Sequence, residues 1–146
     1  MGSILVPVDG SVHAKNALKH AIGMIKEASP KLGLVAKVHV LYVKPQVLPM
    51  GELPLMDAAL IEQVQHEQAK KAIRSARRLL NIAKVSYATH ILTGAIASTI
   101  VNVAKAQACN RIIMGTRGMG VLANIILGST AMQVVRLAKV PVTLVK

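Results

Sequence analysis

Two short stretches, Met114-Gly115-Thr116-Arg117-Gly118-Met119-Gly120 and Leu127-Gly128-Ser129-Thr130, hold the residue types best suited to bind an anion. Gly115 and Gly118 stand three apart, and nine residues separate Gly118 from Gly128. Glycine lets the main chain take positive φ and approach an anion closely. Ser129 and Thr130 open a helical pattern, and a helix N-terminus presents unpaired amides and partial positive charge. Their hydroxyls add donors for phosphate oxygens, and Arg117 adds a cation on a long stem. The chemistry implied is phosphate binding. A tight glycine turn with Ser129 as an ordinary helix cap uses the same residues, so the pattern alone leaves both readings open. A lysine following the glycine of a P-loop is absent, as is a GxGxxG turn after the first apolar run. Both absences disfavour a Walker-type ATPase and a standard dinucleotide site.

Other polar candidates are few. Asp9, one of two aspartates, follows an apolar run and suits a ribose or base, or a helix-starting turn. Ser11 reads as a helix cap. Val43 either offers a backbone edge to a base or ends a strand. Histidines 13, 20, 39, 66 and 90 are scattered, none at metal-ligand spacing with Cys109 or an acid, and read as structural or solvated. Cys109 reads as a small buried hydrophobe. Six acids are a thin supply for acid–base catalysis.

Lys70, Lys71, Arg74, Arg77 and Arg78 fall mostly on one helical face, with Glu67 spaced to pair with Lys71. Eighteen Lys and Arg against six acids give a formal charge of +12, which favours anionic partners without choosing among them. Two tyrosines are the only aromatic residues, so the stacking surface that nucleic-acid binders use is missing.

These residues need elements to position them. Residues 3–8 read as a buried strand, and a helix runs from Val12 to about Ala28, ended by Ser29-Pro30. Leu34–Val43 reads as a second strand, and residues 44–56, with three prolines, as a loop. A long helix follows from Asp57 to about Ala83, then a strand over 85–92 and a helix over 95–106. Arg111–Met114 forms a fourth strand, 115–124 a glycine-rich loop, Ser129–Ala138 a helix, and Val142–Val145 a last strand. Alternating strands and helices predict a parallel sheet covered on both faces. The 146 residues suit one domain, and 53% hydrophobic content supplies its core. Mean hydropathy is +0.49, yet no run of about 18 apolar residues predicts a membrane span. No secretory leader is visible, so the cytoplasm is the expected location.

The ordered set ILVPVDGS, VHVLYV, RIIMGTRGMG, LGST and VPVTLVK resembles the universal stress protein family over essentially the full length. The resemblance implies one α/β domain over 1–146, with an open five-stranded, mostly parallel, Rossmann-like sheet of the adenine nucleotide alpha hydrolase-like kind. It also implies the ATP-binding branch, whose signature of Gly, two residues, Gly, nine residues, Gly and Ser or Thr is matched by Gly115, Gly118, Gly128 and Ser129. By similarity, Pro7, Val8 and Asp9 line the adenosine site and Val43 meets the adenine. Met114 and Gly115 face the ribose and phosphates, while Ser129 and Thr130 hold the phosphates beside a magnesium ion. Family members often dimerise through the last strand, here Val142, Thr143, Leu144 and Val145. Ile96 stands where the family often has proline, and Cys109-Asn110 where an aspartate is common. Neither position is expected to contact phosphate. The expected function is a nucleotide-dependent stress-response switch. Slow ATP hydrolysis, cyclic AMP binding, or a basic surface for nucleic acid or an acidic partner are the alternatives.

Overall fold

The computed structural model describes residues 2–32, 36–46, 55–118 and 127–146, with the side chains of 29–32 and 55–57 left aside. Five strands, β1 (Ser3–Pro7), β2 (Val38–Lys44), β3 (Tyr87–Thr93), β4 (Cys109–Gly115) and β5 (Val142–Val145), form one sheet in the order β3-β2-β1-β4-β5. Every pairing is parallel. The helices are α1 (Val12–Leu32), α2 (Leu55–Ala83), α3 (Ile96–Ala106) and α4 (Ser129–Leu137).

The three inner strands are buried on both faces, which is why they read as unbroken apolar runs. Side chains alternate between the faces. Ile4, Val6, Val8, Val38, Val40, Tyr42 and Ile113 pack with α1 and α2. Leu5, Leu41, Val43, Ile112 and Met114 pack with α3 and α4. The sheet grows one way from β1 through β2 to β3 and the other way through β4 to β5, so its switch point lies between β1 and β4. In doubly wound sheets, ligands bind outside the carboxyl ends of the strands at that place.

Element ends differ from the expectation where pairing decides them. Helix α1 runs to Leu32, past Ser29-Pro30, at the cost of the helical hydrogen bond that Pro30 cannot donate. Strand β3 begins at Tyr87, where it meets Val38; Val85 instead closes the turn, its amide donating to the Leu80 carbonyl after Lys84 at φ 56°. Strand β4 starts at Cys109, opposite Ser3. Cys109 is buried as expected, and burial pushes its thiol up to about 11. The expected start of β2 at Leu34, Gly33, residues 47–54 of the loop, and residues 119–126 with Gly120 lie outside the described residues. On α2, Glu67 meets Lys70 at 3.9 Å rather than Lys71, and Arg77 donates to Thr89 Oγ1. Among the described residues, no helix is long and apolar enough to cross a membrane.

Two of the scattered histidines meet across β2 and β3. His39 Nδ1 and His90 Nε2 are 3.0 Å apart, with the rings stacked at 5.2 Å. That bond needs one of the two nitrogens bare. Burial lowers the pKa of His39, helped by the charges of His90 and Lys37; burial and then Lys37 lower that of His90. An unfolded histidine titrates near 6.5, so below about that pH the unfolded chain takes up more protons than the native one. Stability is therefore full above roughly pH 6.5 and falls as pH drops through the lowered native values. The melting temperature is expected to fall between pH 7.5 and 5, and to fall less in His90→Gln. An equal fall in both proteins, by differential scanning fluorimetry, contradicts this account.

Candidate functional site

The site is built where β1 and β4 end. After Pro7, Val8 is held in register by its amide, which donates to the Leu41 carbonyl at 2.8 Å. The chain then turns through exposed Asp9 and Gly10, whose φ of 86° is the one positive value among the described glycines. Asp9 Oδ1 accepts from the Ser11 amide at 2.9 Å, and Ser11 Oγ accepts from the Ala14 amide at 3.1 Å. Ser11 thus caps α1, as its sequence position predicted, and is buried in doing so. Tyr42 lies close enough for Asp9 to matter: burial, and then the Asp9 carboxylate, raise its phenol above the usual value.

From the other side, β4 brings in Met114, which is buried, and Gly115, which is pressed against the first turn of α1. A β-carbon on Gly115 would stand 2.7 Å from His13 Cβ and 2.9 Å from His13 C. Thr116 ties two elements together: its amide donates to the Val145 carbonyl at 2.9 Å, and its carbonyl accepts from the Gly128 amide at 2.7 Å. Gly128 must pass close to do this, since a β-carbon there would sit 3.3 Å from the Thr116 oxygen and 3.5 Å from Arg117 Cα. Gly118 comes back over β1, with a built β-carbon 2.7 Å from Asp9 Oδ2. Gly115 and Gly118 thus leave no room for a β-carbon and Gly128 little, while none of the three has positive φ.

Gly128 precedes α4 as its cap residue and contributes no side-chain hydrogen bond to the amides of the first turn. Ser129 is exposed and Thr130 half-buried at that turn. Arg117 is half-buried, and it and Asp9 both make polar or electrostatic contacts within the chain. Of the residues expected from sequence, Gly118 meets Asp9, and Gly128 meets the main chain at Thr116 and Arg117, just after Gly115. Ser129 and Thr130 follow in the first turn of α4, so the ends of β1 and β4 and the start of α4 share one junction. Pro7, Val8 and Met114 form the strand ends beneath it. Val43 lies one strand further out, buried against α3 and α4. From sequence, Thr116 had no assigned role and His13 read as structural or solvated. Thr116 Oγ1 and His13 Nδ1 are the two buried side-chain atoms without a hydrogen-bond partner among the described residues. Their positions beside Gly115 depend on the α1–β4 contact, which no local pattern signals.

A parallel sheet that grows both ways from β1, with its loops meeting where β1 and β4 end, defines a doubly wound α/β protein. The model of the universal stress protein family matches residues 1–146, and the chain belongs to that family. A universal stress protein of Methanocaldococcus jannaschii is 34% identical over 144 residues, covering 98% of this chain and 81% of its own length. One from Thermus aquaticus is 33% identical over 144 residues, covering 99% and 98%. Among solved structures, UspA of Lactobacillus plantarum superposes with a TM-score of 0.82 at 24% identity, over 99% of this chain and 97% of that one. A universal stress protein in complex with cAMP gives 0.71 at 19% identity, over 99% and 97%. One from Archaeoglobus fulgidus in complex with dAMP gives 0.69 at 21%, over 100% and 98%.

Proposed function

We propose that this chain binds an adenine nucleotide between the ends of β1 and β4, that ATP with magnesium is the form it takes, and that occupancy switches its stress-response interactions. The observation that carries the reading is the meeting of Gly118 with Asp9, and of Gly128 with Thr116, under the uncapped start of α4. The missing β-carbons let the chain after β4 approach the turn after β1 and the start of α4, whose main-chain amides suit phosphate oxygens. Pro7, Val8 and Asp9 then hold the adenosine, Val43 the adenine, and Met114 and Gly115 the ribose and first phosphate. Arg117, Gly118, Gly128, Ser129 and Thr130 take the remaining phosphates. Among the described residues, no three His, Cys, Asp or Glu side chains group as a metal site, so magnesium would be held through the phosphates.

The solved relatives in complex with cAMP and dAMP support the adenine end of this reading. Ser11 is committed to capping α1 and Asp9 to the turn before it, which supports binding rather than catalysis. The same reading takes residues 1–146 as one domain, working in the cytoplasm as a homodimer paired through Val142, Thr143, Leu144 and Val145. Strand β5 ends the sheet and leaves one edge for such a partner.

Isothermal titration of the folded protein with ATP and magnesium is expected to give saturable heat at roughly micromolar to high-micromolar concentration. Parallel titrations with cAMP and dAMP should be weaker. No heat with ATP, from protein shown to be folded by circular dichroism, overturns the proposal. Tighter binding of cAMP would overturn the choice of ATP.

A further inference from the structure

Among the described residues, helix α2 buries side chains only in its second half. Ala69, Ala72, Ile73, Ala76 and Leu80 join the core there, whereas no residue from Ala58 to Gln68 is buried. Away from the core, Leu60, Val64, Glu67, Lys71, Arg74 and Arg78 recur at alternating spacings of four and three, and all six are exposed. That spacing is the heptad seam along which a second helix lies. Its first two positions are apolar, with Leu60 60% and Val64 48% exposed and Ile61 beside them at 42%. Its last three are cationic. Glu67 lies 3.9 Å from Lys70, and Arg77 donates to Thr89. Lys71, Arg74 and Arg78 make no side-chain hydrogen bond or ion pair among the described residues. Leu60, Val64, Glu67, Lys71 and Arg74 line one shallow groove.

We propose that this outer seam of α2 is a docking surface for an acidic amphipathic helix of a partner protein, laid antiparallel to α2. The first half of that helix sets carboxylates over Lys71, Arg74 and Arg78, and its second half sets apolar side chains over Leu60, Ile61 and Val64. Charge complementarity selects this occupant: three cations stand unpaired in one line, on a chain whose formal charge is +12. The antiparallel direction places the partner's carboxylates near its own N-terminus, where they also favour its helix, and opposes the two helix dipoles. From residue 60 to residue 78 the seam rises about 27 Å at about 1.5 Å per residue, the length of about five turns. A second copy of this chain fits worse, since three of the six seam positions are cationic and one is acidic, so two such seams set like charges together. A membrane or nucleic acid fits worse too, because Glu67 interrupts the seam and would face their phosphates. The surface uses none of the residues assigned to the nucleotide, so its test stands apart from that reading.

Fluorescence anisotropy of the full chain with a labelled synthetic helix tests the proposal. The probe is a peptide of about three heptads, with glutamate at the seam positions of its first half, leucine at those of its second half, and alanine and glutamine elsewhere. It is expected to bind with a Kd on the order of 10 μM, weakened at least about threefold when salt rises from about 50 to about 200 mM. The double variant Leu60→Gln/Val64→Gln should lose at least about fivefold in affinity and Arg74→Glu/Arg78→Glu at least about tenfold, both with unchanged circular dichroism. A peptide with its two halves exchanged, and one with its leucines scattered around the helix, should each bind at least about fivefold weaker than the probe. No binding of the probe overturns the proposal. Equal binding of either control peptide, or full affinity in Leu60→Gln/Val64→Gln, overturns it too, because attraction by net charge alone would then explain the contact. Tighter binding to a duplex DNA oligonucleotide, or to vesicles of phosphatidylcholine and phosphatidylglycerol, lost in Arg74→Glu/Arg78→Glu, overturns the choice of a protein helix. Self-association lost in Leu60→Gln/Val64→Gln, by sedimentation velocity, assigns the seam to a second copy and overturns that choice as well.

Discussion

Gly118→Val is expected to weaken ATP binding at least a hundredfold while moving the melting temperature by less than about 3 °C. The first atom of the new side chain already decides the outcome. A β-carbon at 118 would lie 2.7 Å from Asp9 Oδ2, closer than non-bonded atoms tolerate. A long side chain could swing aside, but Asp9 is short and its other oxygen is held by the Ser11 amide at 2.9 Å. Either the carboxylate leaves the turn or the chain at 118 retreats from β1. Both open the crevice where adenosine and phosphate are proposed to meet. Stability is little affected because Gly118 lies beyond β4, outside both clusters of buried residues. Titration calorimetry and a thermal melt on the same preparation check the two halves. An ATP affinity within threefold of the parent would show that the space over Asp9 is not part of the site.

The alternation of strands and helices was legible because the inner strands are apolar on both faces. Helix spacing was equally plain in α1 and α3, where Ala14, Ala17, Leu18, Ala21 and Ile25, or Ala97, Ile100, Val103 and Ala104, mark one buried stripe each. Strand β5 falls on Val142–Val145 as expected, since Pro141 bounds it locally. Boundaries fixed by distant partners were not legible. Val85 is as β-prone as its neighbours, yet β3 begins at Tyr87 because Val38 sits opposite. Proline at 30 looked like a stop, but α1 continues past it to Leu32, giving up the hydrogen bond that the proline cannot donate.

At the crevice, the glycine spacing was visible and its physical reason was not. A sequence shows that Gly115 lacks a side chain; it does not show that His13, about a hundred residues earlier, stands against it. The contact exists because β1 and β4 are neighbours in the sheet and α1 begins just past β1. Thr116 was passed over for the same reason. Between two motif residues it looks like a spacer, and only the bonds to Val145 and Gly128 show that it joins β5 to α4.

Gly115→Ala provides the contrasting case, with its largest effect on the fold. The added methyl would approach His13 Cβ at 2.7 Å, His13 C at 2.9 Å and the Ala14 amide nitrogen at 3.2 Å. Two of those three atoms are main chain, in the first turn of a helix capped by Ser11 Oγ and anchored by buried Ala14, Ala17, Leu18 and Ala21. Moving α1 aside disturbs that cap and the cluster behind it. Moving β4 instead strains its pairing with Val145 and the bond from the Thr116 amide. Overpacking of this kind costs about 3 kcal/mol, at the upper end of the usual range, and corresponds to a melting temperature lower by about 6–12 °C. Thermal and urea unfolding of the nucleotide-free protein measure it directly, and a shift below 2 °C would mean that α1 yields to the methyl at little cost. Together the two variants divide the glycines by what their missing side chains leave room for: a neighbouring helix at 115, and the Asp9 carboxylate at 118.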